Sequence, residues 1–472
     1  LNSFHLVGFA LSNELCYVNV LNMLDLGSMP IRSEDRTDSD PVVIAGGSQA
    51  GCCGPARPFI DVFVQGEGED AVRELAELVS EEISKCSRSE LLKKIHDKFD
   101  WAYVPSVYHL PDQPKQLRRA VVEDFESAPV PQVPIVPAIQ TVHERVSVEI
   151  MRGCPGRCRF CQASFTRRPL RWRSPERILD TARVNYENTG FDTVSLLSLS
   201  TADYPHLAEL SASLHDEFAG MHVGISLPSL RVDKQLKLLP DQVNAVRKSG
   251  LTIAVEAASE RVRQLINKPL KDSDLLDAVR SAYEAGWQKI KLYFMVGLPG
   301  EQEEDIRRIV DLSAEIGRAR KEVDGRIASI NAAVSWFVPK PHTPFGWLGQ
   351  RSAEYFEIAK SIILEEKAAK KARFIRFKFH NIPRSILESA IGRSGPEMSP
   401  LIEQVWKDGA RFDLWNETFD YSLWRRAAEK CGIDIDAAAQ KEYSPDDELP
   451  WDYFPGPDKE YLLRHLRDAC NI

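Results

Sequence analysis

The sequence predicts an α/β protein built around a partial, TIM-type (β/α)6 barrel. An incomplete doubly wound α/β domain precedes the barrel, and a mostly helical region follows it. Three observations predict this. Apolar, strand-length runs alternate with amphipathic helical stretches from about residue 141 to 345, the pattern of βαβ units around a parallel sheet. The same alternation fills residues 1 to about 80. Between the two lies "APVPQVPIVPAIQ", whose four prolines between 129 and 137 impose extended, donor-poor backbone and read as a stiff connector. The division that follows is 1–100 for the partial α/β domain, 101–140 for the connector, 141–345 for the barrel and 346–472 for the helical region.

Taken in order, "FHLVGFAL" reads as a strand and "ELCYVNVLNMLDL" as a helix. "PVVIAGG" and "FIDVFVQG" are strands, followed by a helix on which Val72, Leu75, Ala76 and Val79 recur at i, i+3, i+4 and i+7. "GEGE" at 66–69 stands where such a sheet opens a helix, although most loops of this kind are only tight turns. The six barrel strands are "RVSVEIMR", "TVSLLSLS", "MHVGISLPS", "LTIAVEAAS", "KIKLYFMVGLP" and "IASINAAVSWFVP". Amphipathic helices separate them, such as the one carrying Ile306, Ile309 and Ile316. In the last region one amphipathic strand, "IRFKFHN", interrupts the helices. The chain opens on Leu1 in the middle of what reads as a strand, so upstream sequence is expected.

Composition narrows the class. A chain of 472 residues holds about three domains of ordinary size, and 43% hydrophobic content sustains a sizeable core. No apolar run approaches the ~20 residues that span a bilayer, and no basic-then-apolar leader opens the chain. A soluble, cytoplasmic protein without a membrane partner is expected. The net charge of −9 argues against a dominant nucleic-acid surface and leaves room for local basic patches. Two such features stand out. "TRRPLRWRSPER" carries Arg167, Arg168, Arg171, Arg173 and Arg177, and "IRFKFH" alternates Ile375, Phe377 and Phe379 with Arg376, Lys378 and His380. If the basic face of that second strand looks into the barrel it is a handle for phosphate or carboxylate. If it looks outward it is a solvated edge.

Nine cysteines, an odd number at irregular intervals, do not form a secreted disulfide framework. Three of them, Cys154, Cys158 and Cys161, crowd into "EIMRGCPGRCRFCQASF" just after the first barrel strand. Parallel barrels place their chemistry at the C-terminal ends of strands. A zinc knuckle would close its tetrahedron with a second pair or with histidines, but no second pair exists and His143 and His206 stand alone. Unrelated buried thiols, or a disulfide with one spare, are the other plain readings. Three thiolates on one iron–sulfur cluster leave an iron open for a small molecule.

This C-x3-C-x2-C spacing, with Phe160 before the third cysteine, resembles the radical S-adenosylmethionine (SAM) superfamily. "SLLSLSTADY", "SLPSLRVD", "GLTIAVEAASERVRQLINK" and "KLYFMVGLPGE" resemble its successive strand ends, so the likeness covers about half the chain. It implies an enzyme in which Cys154, Cys158 and Cys161 hold a 4Fe–4S cluster and SAM chelates the fourth iron. A flavodoxin- or ferredoxin-type donor would supply one electron, and a 5′-deoxyadenosyl radical would abstract hydrogen from a substrate. The likeness also implies that Phe160 places the adenine through its backbone. Glu256 would contact the ribose or amino acid part of SAM, Arg231 its carboxylate, and Gly297 and Pro299 would let the fifth strand approach the nucleoside. The N-terminal run resembles the second half of the cobalamin-binding domain found in one branch, so an uncharacterised subfamily of that branch is implied. The cobalamin motif D-x-H-x-x-G is absent from the chain, so cobalamin is expected only with upstream sequence. A methylthiotransferase-like enzyme with a second cluster on Cys16, Cys52 and Cys86 is an alternative, as is cobalamin-dependent methyl transfer to RNA or a small anion. A non-catalytic iron–sulfur or RNA-binding protein is the remaining one.

Overall fold

A computed structural model describes residues 1–108, 116–226 and 251–470. The chain forms two compact units, each assembled from separate stretches. The first comprises Leu1–Glu123, Val338–Ser352 and Ile382–Arg464. The second comprises Asp124–Phe337, Ala353–Asn381 and His465–Ile472.

The first unit is organised by a four-stranded sheet in chain order: β1 (Leu6–Ala10), β2 (Val42–Gly46), β3 (Val62–Val64) and β4 (Ala102–Tyr103). The first three strands are parallel, and β4 adds an antiparallel edge. Strands β2 and β3 are apolar nearly throughout and buried on both faces, as parallel strands covered on both sides must be. The helix Glu69–Glu82 opens after Gly68 as the "GEGE" loop suggested, but its buried stripe is Ala71, Leu75, Leu78 and Val79. Val72 and Ala76 face solvent. Both stripes satisfy helical spacing, and the core under Leu75 chose between them. The next helix, Arg88–Lys98, starts at a reciprocal Ser87–Glu90 capping box.

Chain from beyond residue 337 completes this unit. The helix Ser399–Lys407 packs on the helix Tyr17–Leu26, and Ile382–Gly392 packs on Ile435–Gln440. The expected boundary at residue 345 is therefore not where the compact units part. Local pattern shows that a helix has an apolar face; it does not show which sheet that face covers.

The second unit is the barrel. Strands β5 (Val146–Glu149), β8 (Thr193–Leu197) and β9 (Gly224–Ser226) form one parallel run. Strands β10 (Leu251–Glu256), β11 (Lys289–Val296), β12 (Ser329–Trp336) and β13 (Ile375–Phe379) form another. All six expected barrel strands are present. The strand placed among the C-terminal helices, Ile375–Phe379, joins them as β13, parallel to β12. A two-stranded ribbon of β6 (Met151–Arg152) and β7 (Arg171–Trp172) brackets the cysteine loop.

Alternation along the strands separates two faces. Ile253, Leu292, Val334 and Ile375 are buried, whereas Thr252, Lys291, Asn331 and Arg376 are exposed and lie in register across the four strands. Side chains paired across a sheet point to the same side. The exposed row therefore lines the inner wall of the barrel, and the buried row meets the surrounding helices. No described helix is long and apolar enough to cross a membrane.

Candidate functional site

The cysteine loop is held at both ends and in the middle. At its start Gly153 has φ +93°, and a Cβ there would stand 2.7 Å from the Arg167 carbonyl, so glycine is required for the ribbon to close. In the middle, the Arg168 guanidinium donates to the carbonyls of Ser164 and Gly156, both at 3.0 Å. The loop is also stitched to the turn after the helix Glu260–Leu265. There the Arg159 N–H donates to the Ile266 carbonyl at 3.0 Å, and the Asn267 amide donates to the Arg157 carbonyl at 2.8 Å. Cys161 then caps the short helix Gln162–Thr166.

These constraints put Cys154, Cys158, Phe160 and Cys161 on the wall of one cavity of about 360 Å³. The cavity is also lined by Thr252, Ala254 and Glu256 of β10 and by Tyr293 from the middle of β11, with Lys268 from the turn after the helix Glu260–Leu265. Glu256 Oε1 accepts from Lys268 Nζ at 3.0 Å. Glu256 has φ +68°, a left-handed conformation uncommon for residues other than glycine, and it follows a shift of register between Ala254 and Glu256.

The donor set fits a three-thiolate cluster. A Cβ on Gly156 would lie 3.3 Å from Cys154 Sγ and 3.9 Å from Cys158 Sγ, so both sulfurs border the same glycine. No histidine and no fourth cysteine is among the described residues lining the cavity, and the one carboxylate there is engaged by Lys268. Burial pushes the Cys158 thiol up to about 11 against the opposing pull of Lys268, and burial raises Cys154 as well. Without metal these thiols hold their protons at neutral pH, and loading a cation releases them.

The expected site residues divide. Cys154, Cys158, Cys161, Phe160 and Glu256 meet on this cavity. Arg231 lies outside the described residues. Gly297 and Pro299 do not line the cavity; the Gly297 N–H donates to the Glu301 carboxylate at 2.6 Å, and the Tyr355 hydroxyl donates to the same group at 3.0 Å. Lys268 and Tyr293 were missed. For Tyr293 the signal was present, since it alternates with the buried Leu292 and Phe294.

The first basic run is largely structural. Arg168 ties the loop, and Arg173 is buried, donating to the Glu126 and Ala128 carbonyls and lying 4.4 Å from the Phe125 ring centre. The cysteines considered for a second cluster have other surroundings. Cys52 is buried with its Sγ 2.8 Å from Gln49 Oε1, and Cys86 donates to the Glu82 carbonyl at 3.4 Å beside the core of the N-terminal sheet. Cys16 is half-buried near the Ser12 hydroxyl.

Known proteins resemble this chain along most of its length. An uncharacterised protein of Methanocaldococcus jannaschii is 31% identical over 359 residues, covering 74% of this chain and 70% of that one. The ribosomal protein uS12 methylthiotransferase RimO of Methylobacillus flagellatus is 24% identical over 410 residues, 79% of this chain and 84% of its own. Among solved structures, the radical SAM methyltransferase TsrM of Kitasatospora setae, with cobalamin and a 4Fe–4S cluster bound, superposes with a TM-score of 0.54 at 13% identity. That likeness spans 91% of this chain and 89% of TsrM. The family of radical SAM proteins, N-terminal, matches residues 1–105, and the Radical SAM superfamily matches residues 148–313. With the cysteine loop inside the second match, the chain belongs to the radical SAM superfamily, as an enzyme whose cofactors are a 4Fe–4S cluster and S-adenosylmethionine.

Proposed function

We propose that this enzyme reductively cleaves SAM and directs the resulting radical at a substrate in the barrel, and that Cys154, Cys158 and Cys161 hold the cluster. The observation that carries the reading is the meeting of these cysteines with Glu256 and Lys268 on one cavity at the strand ends. The chemistry supplied by the bound cofactors is one-electron cleavage of a carbon–sulfur bond of SAM, giving methionine and a 5′-deoxyadenosyl radical. The chain's own residues bind and orient. The Glu256 carboxylate accepts from hydroxyl or ammonium groups of SAM, and the Lys268 ammonium donates to its carboxylate. Arg231 is the second donor proposed for that carboxylate. Phe160 and Tyr293 line the cavity with apolar surface, which disfavours water beside a reactive radical. A flavodoxin- or ferredoxin-type protein is the proposed electron donor.

The test is anaerobic reconstitution with iron and sulfide, then Cys154→Ala, Cys158→Ala and Cys161→Ala one at a time. Each variant should lose the visible charge-transfer absorption of the cluster. Retention of that band in all three, with zinc as the metal that co-purifies, would refute the assignment.

A second reading, cobalamin-dependent methyl transfer, is supported by the extension of the TsrM likeness over 91% of the chain. It is tested by incubation with hydroxocobalamin followed by desalting. Near-stoichiometric cobalamin travelling with the protein supports methyl transfer; none supports hydrogen abstraction without it.

A further inference from the structure

Strand β13 settles the direction of the second basic feature. Ile375 is buried, and Phe379 stacks on Trp336 at 6.0 Å on the helix-facing side. Arg376 and Lys378, alternating with these residues, therefore point to the inner wall. Register places Arg376 beside Asn331 and Lys291, and Lys378 beside Ala333 and Tyr293. Lys291 adds a third cation, its ammonium 4.7 Å from the Tyr293 ring centre. Tyr293 itself lines the cavity of the cysteines. The cationic wall thus begins at the cavity's edge and runs across three strands, about 10 Å at ~4.8 Å per strand.

Charge pairing distinguishes this wall from an ordinary surface. No carboxylate among the described residues pairs with Lys291, Arg376 or Lys378, in a chain whose net charge is −9. Protection of a sheet edge would account for cations on β13. It does not account for Lys291, because β11 is flanked by β10 and β12.

We propose that this wall, formed by Lys291, Arg376 and Lys378, binds a phosphate group of the substrate; the proposal rests on the radical SAM reading of the adjoining cavity. Arg376 and Lys378 stand about 6.8 Å apart along one strand, so a single phosphate can accept from both. Three cations with no carboxylate partner among the described residues call for a group carrying two or more negative charges, which a monocarboxylate does not supply and a phosphate ester or diphosphate does. Bound here, the substrate reaches past Tyr293 toward the cavity, the direction from which a radical would arrive.

The experiment is isothermal titration of the reconstituted protein with pyrophosphate, and separately with citrate as a tricarboxylate. Saturable pyrophosphate binding is expected, weakened at least tenfold in the double variant Arg376→Gln, Lys378→Gln, with iron content equal to wild type as evidence of folding. Absence of saturable pyrophosphate binding in the wild type, equal affinity in the double variant, or tighter binding of citrate than of pyrophosphate overturns the proposal. The same titration on Cys158→Ala protein separates the two claims. Pyrophosphate binding retained in a variant that has lost its cluster supports the wall independently of the cofactor, whereas a wild type that takes up no cluster yet binds pyrophosphate would mean that the cofactor assignment has failed and the phosphate wall has not.

Discussion

Glu256 is the residue where backbone and charge agree most closely. Its left-handed φ of +68° costs free energy in an ordinary strand, and the side chain it turns toward the cavity meets Lys268 at 3.0 Å. Removing the carboxylate as Glu256→Ala should weaken SAM binding by about 1.5–3 kcal/mol, or ten- to a hundredfold, while iron content stays at the wild-type level. Unchanged affinity in equilibrium binding would reduce Glu256 to a structural partner of Lys268. Gly153 offers a complementary prediction. At φ +93°, with the Arg167 carbonyl in the way of any Cβ, Gly153→Ala should strain the ribbon by about 1–3 kcal/mol and lower the iron retained per chain after reconstitution. Full iron retention would show that the ribbon has slack. The cysteines were legible because their spacing has few meanings, and Glu256 because the family resemblance points to the acidic residue of "AVEAAS". Lys268 was not legible, since a lysine following a short helix looks in sequence like any solvated lysine.

At the level of elements, the segment Val338–Ser352 shows how much tertiary context adds to pattern. It carries Lys340, His342, Thr343, Phe345 and Trp347 into the first unit, where Lys340 Nζ lies 2.8 Å from Glu14 and 2.7 Å from Glu388. Glu14 is fully buried, so Lys340→Met would leave its carboxylate beside that of Glu388 without a cation. Destabilisation of the first unit by about 3–5 kcal/mol is expected in denaturant titration; a loss below about 1 kcal/mol would mean that the carboxylates simply take up a proton. His342, buried with its Nε2 2.7 Å from the Gly51 carbonyl, is pushed down to about 4, chiefly by burial, with Arg119 acting the same way and Asp452 opposing. The folded chain then binds fewer protons than the unfolded chain below the ordinary histidine value near 6.5, so stability falls as pH drops from about 6.5 toward 4. In His342→Gln that part of the acid loss should disappear, measured as the difference in unfolding midpoint between pH 7 and pH 4.5. A slope identical to wild type would show that other groups carry it. None of this could be read from "KPHTPFGW" itself, which as sequence is a proline-punctuated loop. Likewise the helix Glu69–Glu82 was legible as a helix but not in its phase, because two overlapping stripes both fit a period of 3.6.

For the whole molecule, alternation of strand and helix was enough to foresee the barrel and the α/β sheet before it. The partition of the C-terminal third was out of reach. "IRFKFHN" reads as an isolated amphipathic strand until a free sheet edge is known, and β12 supplies that edge. The proposed reaction, reductive cleavage of SAM, is assigned to the cavity bordered by Cys154, Cys158, Cys161, Glu256 and Lys268. The most direct measurement is the 5′-deoxyadenosine released when reconstituted, reduced protein is incubated anaerobically with SAM, compared with Cys158→Ala. Release that depends on both reductant and SAM, and that falls to background in the variant, is expected. Equal release from the two proteins, or none from a wild type that demonstrably holds four irons per chain, would contradict the assignment.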